Sequence, residues 1–209
     1  MVAEATPMTC SRRGIVALAV LALAATAAAR AEPTRYTIDP EHLSLGFLVE
    51  HVGFAKVLGM FRKGSGAFTF DEERGTISEV AIEIDAASVY TNHEKRDEHL
   101  RGADFLNAAE FPMIRFTAAS AEPTGEREFD ITGELTLLGQ TRPLTLRAVW
   151  NKSGQSPVGG GLFSGKPYVT GVSARGAFKR SDFGMRYAVS NGWVGDTVEL
   201  IIEIEAKRE

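Results

Sequence analysis

The sequence predicts an all-β protein of about eight to ten antiparallel strands, and three observations carry that prediction. Apolar and polar residues alternate with period two along most of the chain beyond residue 32. Short Gly, Pro and Asn/Asp turn signals, rather than linkers, separate these runs. Only one block, Thr91 to Phe105 (TNHEKRDEHLRGADF), spaces its charges and histidines as a helix would.

Residues 1–31 read as a cleaved signal peptide. Arg12 and Arg13 supply a positive n-region, Gly14 to Ala28 an apolar stretch too short for a membrane span, and Ala29-Arg30-Ala31 a small-x-small cleavage site before Glu32. Ser11 to Val16 also resembles a twin-arginine export signal, although any secretory n-region needs positive charge. Residues 32–209 then form a single domain in the periplasm.

In the mature chain, Leu43, Leu45, Phe47 and Val49 share one face of a strand, opposite Ser44, Gly46 and Glu50. Tyr36–Ile38, Val57–Phe61 and Ala67–Phe70 add strands, and Val80, Ile82 and Ile84 alternate with Ala81, Glu83 and Asp85. After the charged block come Met113–Thr117 and the run Phe129, Ile131, Gly133, Leu135 and Leu137. The turn Gly139-Gln140-Thr141 leads to Leu144, Leu146, Ala148 and Trp150, which predicts a hairpin. Val172, Ala174 and Phe178 precede a closing strand in which Val198, Leu200, Ile202 and Ile204 oppose Glu199, Glu203 and Glu205. A meander of this size must close or stack to hide its edges, and alternation alone does not choose between barrel and sandwich. A closed barrel of about eight strands has a bore that side chains fill or that holds one elongated ligand. Gly46, Gly59, Gly133, Ala174 and Gly176 suit either strong strand bending or room for that ligand.

Composition excludes several function classes. Removing residues 1–31 takes away three Arg and one Glu, leaving 178 residues and moving the formal charge from −4 to −6. That balance argues against nucleic acid and against polybasic membrane binding. The single cysteine, Cys10, leaves with the signal, so neither a disulfide nor thiol catalysis is available. Gly160-Gly161-Leu162-Phe163-Ser164-Gly165-Lys166 approaches a nucleotide P-loop, but Pro167 replaces the metal-binding hydroxyl and no helical pattern follows; Ser153 to Pro167 reads as one surface loop. No G-x-S-x-G elbow occurs, because Gly171-Val172-Ser173-Ala174-Arg175 ends in arginine. The four histidines, His42, His51, His93 and His99, lack a metal-ligand spacing, so neither a metal nor a cofactor is expected. On the helix, His93, Asp97 and Arg101 recur at four-residue intervals and predict a charged outer face. Arg96 and His99, beside Leu100, face elsewhere, toward the barrel; for Arg96 the alternatives are a ligand contact and a structural ion pair with a strand carboxylate.

Several blocks together resemble the YceI-like family. They are Tyr36-Thr37-Ile38-Asp39-Pro40-Glu41-His42 with Phe47, Val49, His51, Gly53, Val57, Gly59 and Phe61; Arg96 to Arg101 with Asp104-Phe105, Phe111-Pro112 and Phe116; Gly133 to Leu137 with Gly139, Thr141, Arg142 and Pro143; and Arg180-Ser181-Asp182-Phe183-Gly184. Leu43 and Gly46 depart from the pattern, standing where a serine and a larger polar residue are common. The resemblance implies a lipocalin-like antiparallel barrel in the periplasm. It also implies a non-catalytic binding or carrier role, with a polyisoprenoid, isoprenoid quinone or fatty-acid amide in an apolar tunnel. A membrane cytochrome of the b561 type is an implied partner, and homodimerisation stays open. The alternative is an enzyme or redox accessory factor that uses the histidine and arginine cluster on an isoprenoid.

Physical chemistry supports such a carrier independently of the resemblance. At roughly 0.3 kcal/mol per heavy atom, a chain of about forty carbons reaches about 12 kcal/mol, or nanomolar affinity, without a charged anchor. The apolar faces supply Leu45, Phe47, Val49, Phe61, Phe68, Ile82, Ile84, Phe116, Leu135 and Phe178 as candidate tunnel lining. His42, His51, Arg96 and His99 are the candidate polar rim.

Overall fold

The computed structural model describes residues 1–2, 32–160 and 165–209. Residues 3–31, which hold Cys10, the paired arginines and nearly all of the expected signal peptide, and most of the P-loop-like segment lie outside the described residues. Eleven strands and one α-helix are described: β1 (Thr34–His51), β2 (Ala55–Phe61), β3 (Gly64–Asp71), β4 (Thr76–Asp85), β5 (Val89–Tyr90), α1 (Glu94–Arg101), β6 (Met113–Ser120), β7 (Glu122–Pro123), β8 (Glu128–Leu137), β9 (Gln140–Gln155), β10 (Tyr168–Lys179) and β11 (Val194–Arg208). Short 3-10 turns follow β4 (Ala86–Ser88) and β10 (Arg180–Phe183).

The strands close into an antiparallel barrel rather than stack as a sandwich. Around the ring the order is β1, β11, β10, β9, β8, β6, β4 and β3, with β3 pairing back onto β1. Closure rests on β1 meeting β11 along almost its whole length, from Tyr36↔Arg208 to His51↔Val194. The start of β1 pairs with β3 (Thr34↔Phe70) and its end with β2 (His51↔Ala55). In effect β2 and β3 are two stretches of one ring position, interrupted at Arg62 and Lys63. In the same way β5 extends β4, because β2 pairs β5 where β3 pairs β4. β7 likewise continues β6 along β8, so eight ring positions remain, which is the size at which a bore holds side chains or one slender ligand.

The glycines on the apolar runs answer the question of room. A Cβ on Gly59 would run into the Phe47 ring across the β1–β2 pair, and one on Gly133 into the Thr117 carbonyl and the Phe116 ring. These two glycines let strands and rings approach closely; they do not leave space for a ligand.

The two ends of the barrel differ. One end, formed by the start of β1, the β3–β4 turn and the end of β9, is packed shut. There Tyr36 stacks on Phe68 at 5.8 Å and Phe70 meets Trp150 edge-on at 5.1 Å. The Tyr36 and Tyr168 hydroxyls both donate to Glu72, the latter at 2.9 Å. Asp71 accepts from the backbone N–H groups of Glu73 (3.1 Å) and Arg74 (3.0 Å), which fixes the turn below them. At the other end α1, the 3-10 turns and residues 185–193 surround an opening.

Candidate functional site

The opening leads into an apolar cavity of about 470 Å³ that runs down the barrel to Phe68 and Ile77. All ten apolar residues selected from the strand faces line it: Leu45, Phe47, Val49, Phe61, Phe68, Ile82, Ile84, Phe116, Leu135 and Phe178. They share the bore because period two turns alternate side chains inward on every strand. On β11 the same rule sends Val198, Leu200, Ile202 and Ile204 inward. It leaves Glu199 and Glu203 outside, paired with Lys56 and Arg175.

Of the four polar candidates, His51, Arg96 and His99 border the cavity. His42 does not, which corrects the expectation of a four-residue rim. Register shifts between Ile38 and Leu43, where β1 bulges against β11. His42 is thereby left on the outer wall, where its Nδ1 sits 2.9 Å from Asp39 Oδ2 and 4.0 Å from Glu205. Hydrogen bonds from Lys207 and then His42 hold the Asp39 carboxyl down at about 2, and Asp39 in turn raises the pKa of His42. This knot braces the wall and takes no part in the opening.

The helix also differs from its sequence reading. Asp97 is buried, and its Oδ1 accepts from the Thr91 N–H (2.7 Å) and hydroxyl (2.5 Å). Arg101 donates to the Ala87 and Val89 carbonyls, and the His93 ring caps the helix by accepting from the Arg96 N–H. Only Asp97 leaves the expected outer face: His93 and Arg101 stay exposed, while Asp97 and Arg101 tie α1 to the 87–91 segment. Among the described residues Arg96 bonds to no strand carboxylate: its Nε donates to Thr91 Oγ1 and one Nη to the Thr91 carbonyl, both at 2.7 Å. These bonds hold the guanidinium against the cavity mouth.

His99 stands edge-on to Phe105 (4.9 Å) and Tyr187 (5.1 Å), with its Nε2 3.0 Å from Asp104 Oδ2. Beneath this aromatic group lies Arg180, only 2% exposed, with its charge 5.7 Å from the Phe105 ring centre. Arg180 donates to the carbonyls of Gly195, Met185, Tyr187 and Val194, between 2.8 and 3.1 Å. Burial lowers its pKa, and the four carbonyls replace the water it has lost. Arg180 therefore shapes the 185–194 lip, which brings Tyr187 and Trp193 to the opening. Sequence reasoning chose none of these three residues as site residues. The signal available was the Arg180-Ser181-Asp182-Phe183-Gly184 block, a charged cluster ending the β10 pattern.

Chemically the site offers a long apolar bore with few polar groups, all at one end. Among the described residues no group of three or more His, Cys, Asp or Glu side chains could hold a metal ion.

Comparison with known proteins agrees with this architecture. Residues 36–206 match the YceI-like domain model. Protein YceI of Escherichia coli O157:H7 is 39% identical over 176 residues, covering 83% of this chain and 87% of the relative. The crystal structure of the Campylobacter jejuni YceI protein superposes with a TM-score of 0.67 at 28% identity, covering 77% of this chain and 90% of that one. A polyisoprenoid binding domain from Saccharophagus degradans shares the fold, with a TM-score of 0.62 at 15% identity over 83% of this chain and 98% of its own. With the domain model matched over nearly all of the barrel, this chain belongs to the YceI-like family.

Proposed function

We propose that the protein is an exported, non-catalytic carrier that holds one long-chain lipid, of the polyisoprenoid, isoprenoid-quinone or fatty-acyl class, in its bore. The observation that carries this reading is the cavity itself. A space of about 470 Å³ lined almost wholly by aliphatic and aromatic side chains, closed at one end, matches a slender apolar chain better than a compact polar substrate. Water in such a space lacks hydrogen-bonding partners, and each methylene that replaces it gains about 0.8 kcal/mol. The polyisoprenoid ligand named for the Saccharophagus degradans domain is consistent with this class of cargo.

Polar groups at the mouth then select the head. Arg96 has a guanidinium nitrogen that the bonds to Thr91 do not use, and it borders the cavity with His51 and His99. Export fits the small-x-small site before Glu32; N-terminal sequencing should find Glu32 first in periplasmic material, and an intact Met1 in a membrane fraction would overturn cleavage.

The test of the carrier reading is extraction of purified protein with organic solvent, followed by mass spectrometry of the lipid. Near-stoichiometric long-chain lipid is expected. Ala174→Phe, which projects a ring into the bore from β10, should cut occupancy sharply while the barrel stays folded. Absence of lipid from the wild type, or unchanged occupancy in the variant, would contradict the reading. Turnover of the bound lipid by purified protein would favour an enzyme instead.

A further inference from the structure

Beside the polar groups His51, Arg96 and His99, the cavity mouth carries exposed apolar side chains that a pocket for a soluble ligand would not need. At the tip of the β1–β2 hairpin, Phe54 is 92% exposed, and Trp193, which neighbours the tip just before β11, is 60% exposed. Val52 and Tyr187 are exposed as well, and Val52, Tyr187 and Trp193 also line the cavity. Apolar surface continues down the outer face of the hairpin through Leu58 and Met60, which point away from the bore because Val57, Gly59 and Phe61 point toward it.

The turn that presents this tip is built against its own preference. Phe54 N–H donates to the His51 carbonyl at 3.2 Å, and both residues between them have positive φ, Val52 at 53° and Gly53 at 73°. Hairpin turns of this kind favour Asn-Gly, whereas a β-branched residue at positive φ is strained. A second tie, from the Val52 N–H to the Trp193 carbonyl at 2.9 Å, joins the two lips. Valine at position 52 thus lowers stability and adds apolar surface to the mouth, the pattern of strain retained for function.

We propose that this crown is a membrane-docking surface: the hairpin tip and Trp193 insert into the outer layer of a lipid bilayer, so that the bore opens directly onto the acyl phase. The inference rests on the carrier reading, since a chain too insoluble to cross water needs an unbroken apolar path from bilayer to bore. Val52, Tyr187 and Trp193 provide it by belonging to both surfaces. Trp and Tyr are the side chains that settle at the headgroup level, with the ring in the acyl boundary and the polar edge in water. The hairpin's cations are engaged, Lys56 with Glu199 and Arg62 over the Tyr90 ring, and the exposed Glu50 and Arg186 beside the crown are opposite in sign. Docking therefore depends on apolar insertion and not on anionic lipid.

Flotation of the protein with phosphatidylcholine vesicles tests this. Wild-type protein should float with the vesicles, and its partitioning should hold across roughly a tenfold range of salt. Phe54→Ser, which changes no cavity-lining residue, should reduce partitioning about tenfold or more while keeping the amount of co-purified lipid. Val52→Asn should also weaken partitioning and yet raise the melting temperature, because asparagine tolerates the left-handed conformation. Equal flotation of wild type and Phe54→Ser would overturn the docking surface. So would sedimentation showing a dimer that Phe54→Ser dissociates, with no vesicle binding by the wild type: the crown would then be an interface between two copies. Lipid co-purifying without vesicle binding sinks docking alone; vesicle binding that depends on Phe54, with no lipid extracted, sinks the carrier reading and leaves docking standing.

Discussion

The closed and open ends of the barrel are built from the same alternating strands but use aromatic side chains in opposite ways. At the closed end, Tyr36, Phe68, Phe70 and Trp150 pack against one another, and the polar edges are satisfied inside the protein, Tyr36 by Glu72 and Trp150 Nε1 by Ser153 Oγ at 2.9 Å. At the open end, His99, Phe105 and Tyr187 also cluster, yet their neighbours Val52, Phe54 and Trp193 face outward. The difference separates two tasks that one core cannot serve together. Dense packing stabilises the fold, while a bore that admits a ligand must forgo some of it.

The largest expected effect tests the first task. Phe70→Ala should destabilise the protein by about 3–5 kcal/mol, as truncation of a fully buried aromatic does. Phe61→Ala, at the half-buried open end beside existing space, should cost distinctly less by denaturant titration. Equal losses would show that the bore is as tightly packed as the floor.

A smaller effect belongs to the mouth. Arg96→Ala should weaken lipid binding about ten- to hundredfold and reduce preference for a polar-headed ligand over a plain hydrocarbon of equal length. A lower melting temperature with that preference intact would make Arg96 a brace for Thr91 and nothing more.

Proton linkage offers a third contrast. Burial, then the Glu72 carboxylate, raises the Tyr36 pKa above its ordinary value. Stability from a group with a raised pKa is complete below the unfolded value and is lost as pH rises past it. Thermal stability should therefore fall above about pH 10, and less steeply in Tyr36→Phe. Identical alkaline slopes would remove Tyr36 from the account. The smallest effect is expected at His42: because it lies on the outer wall, His42→Ala should leave lipid affinity unchanged by titration.

How much of this was legible in the sequence follows from the range of each interaction. Alternation along single strands, such as Leu45-Phe47-Val49 or Val198-Leu200-Ile202, is local and identified the inner faces. Barrel closure is not local, since Tyr36 finds Arg208 from the opposite end of the chain. His42 was misread because a bulge in β1 leaves no trace in a period-two pattern. Asp97 was misread because helical spacing says which residues share a face, but not whether Thr91 waits beneath it. The Tyr187–Trp193 lip has no periodicity to read: Gly184, Ala188 and Gly192 all take positive φ, and its shape comes from four carbonyls gathered around Arg180.

The central claim, that the bore binds an apolar chain along its length while the closed end bounds it, is tested most directly by titrating delipidated protein with prenyl alcohols of increasing length. Affinity should rise several-fold with each added methylene equivalent, at about 0.8 kcal/mol apiece, and level off once the chain reaches the Tyr36–Phe68 floor. Affinity independent of chain length would contradict the account.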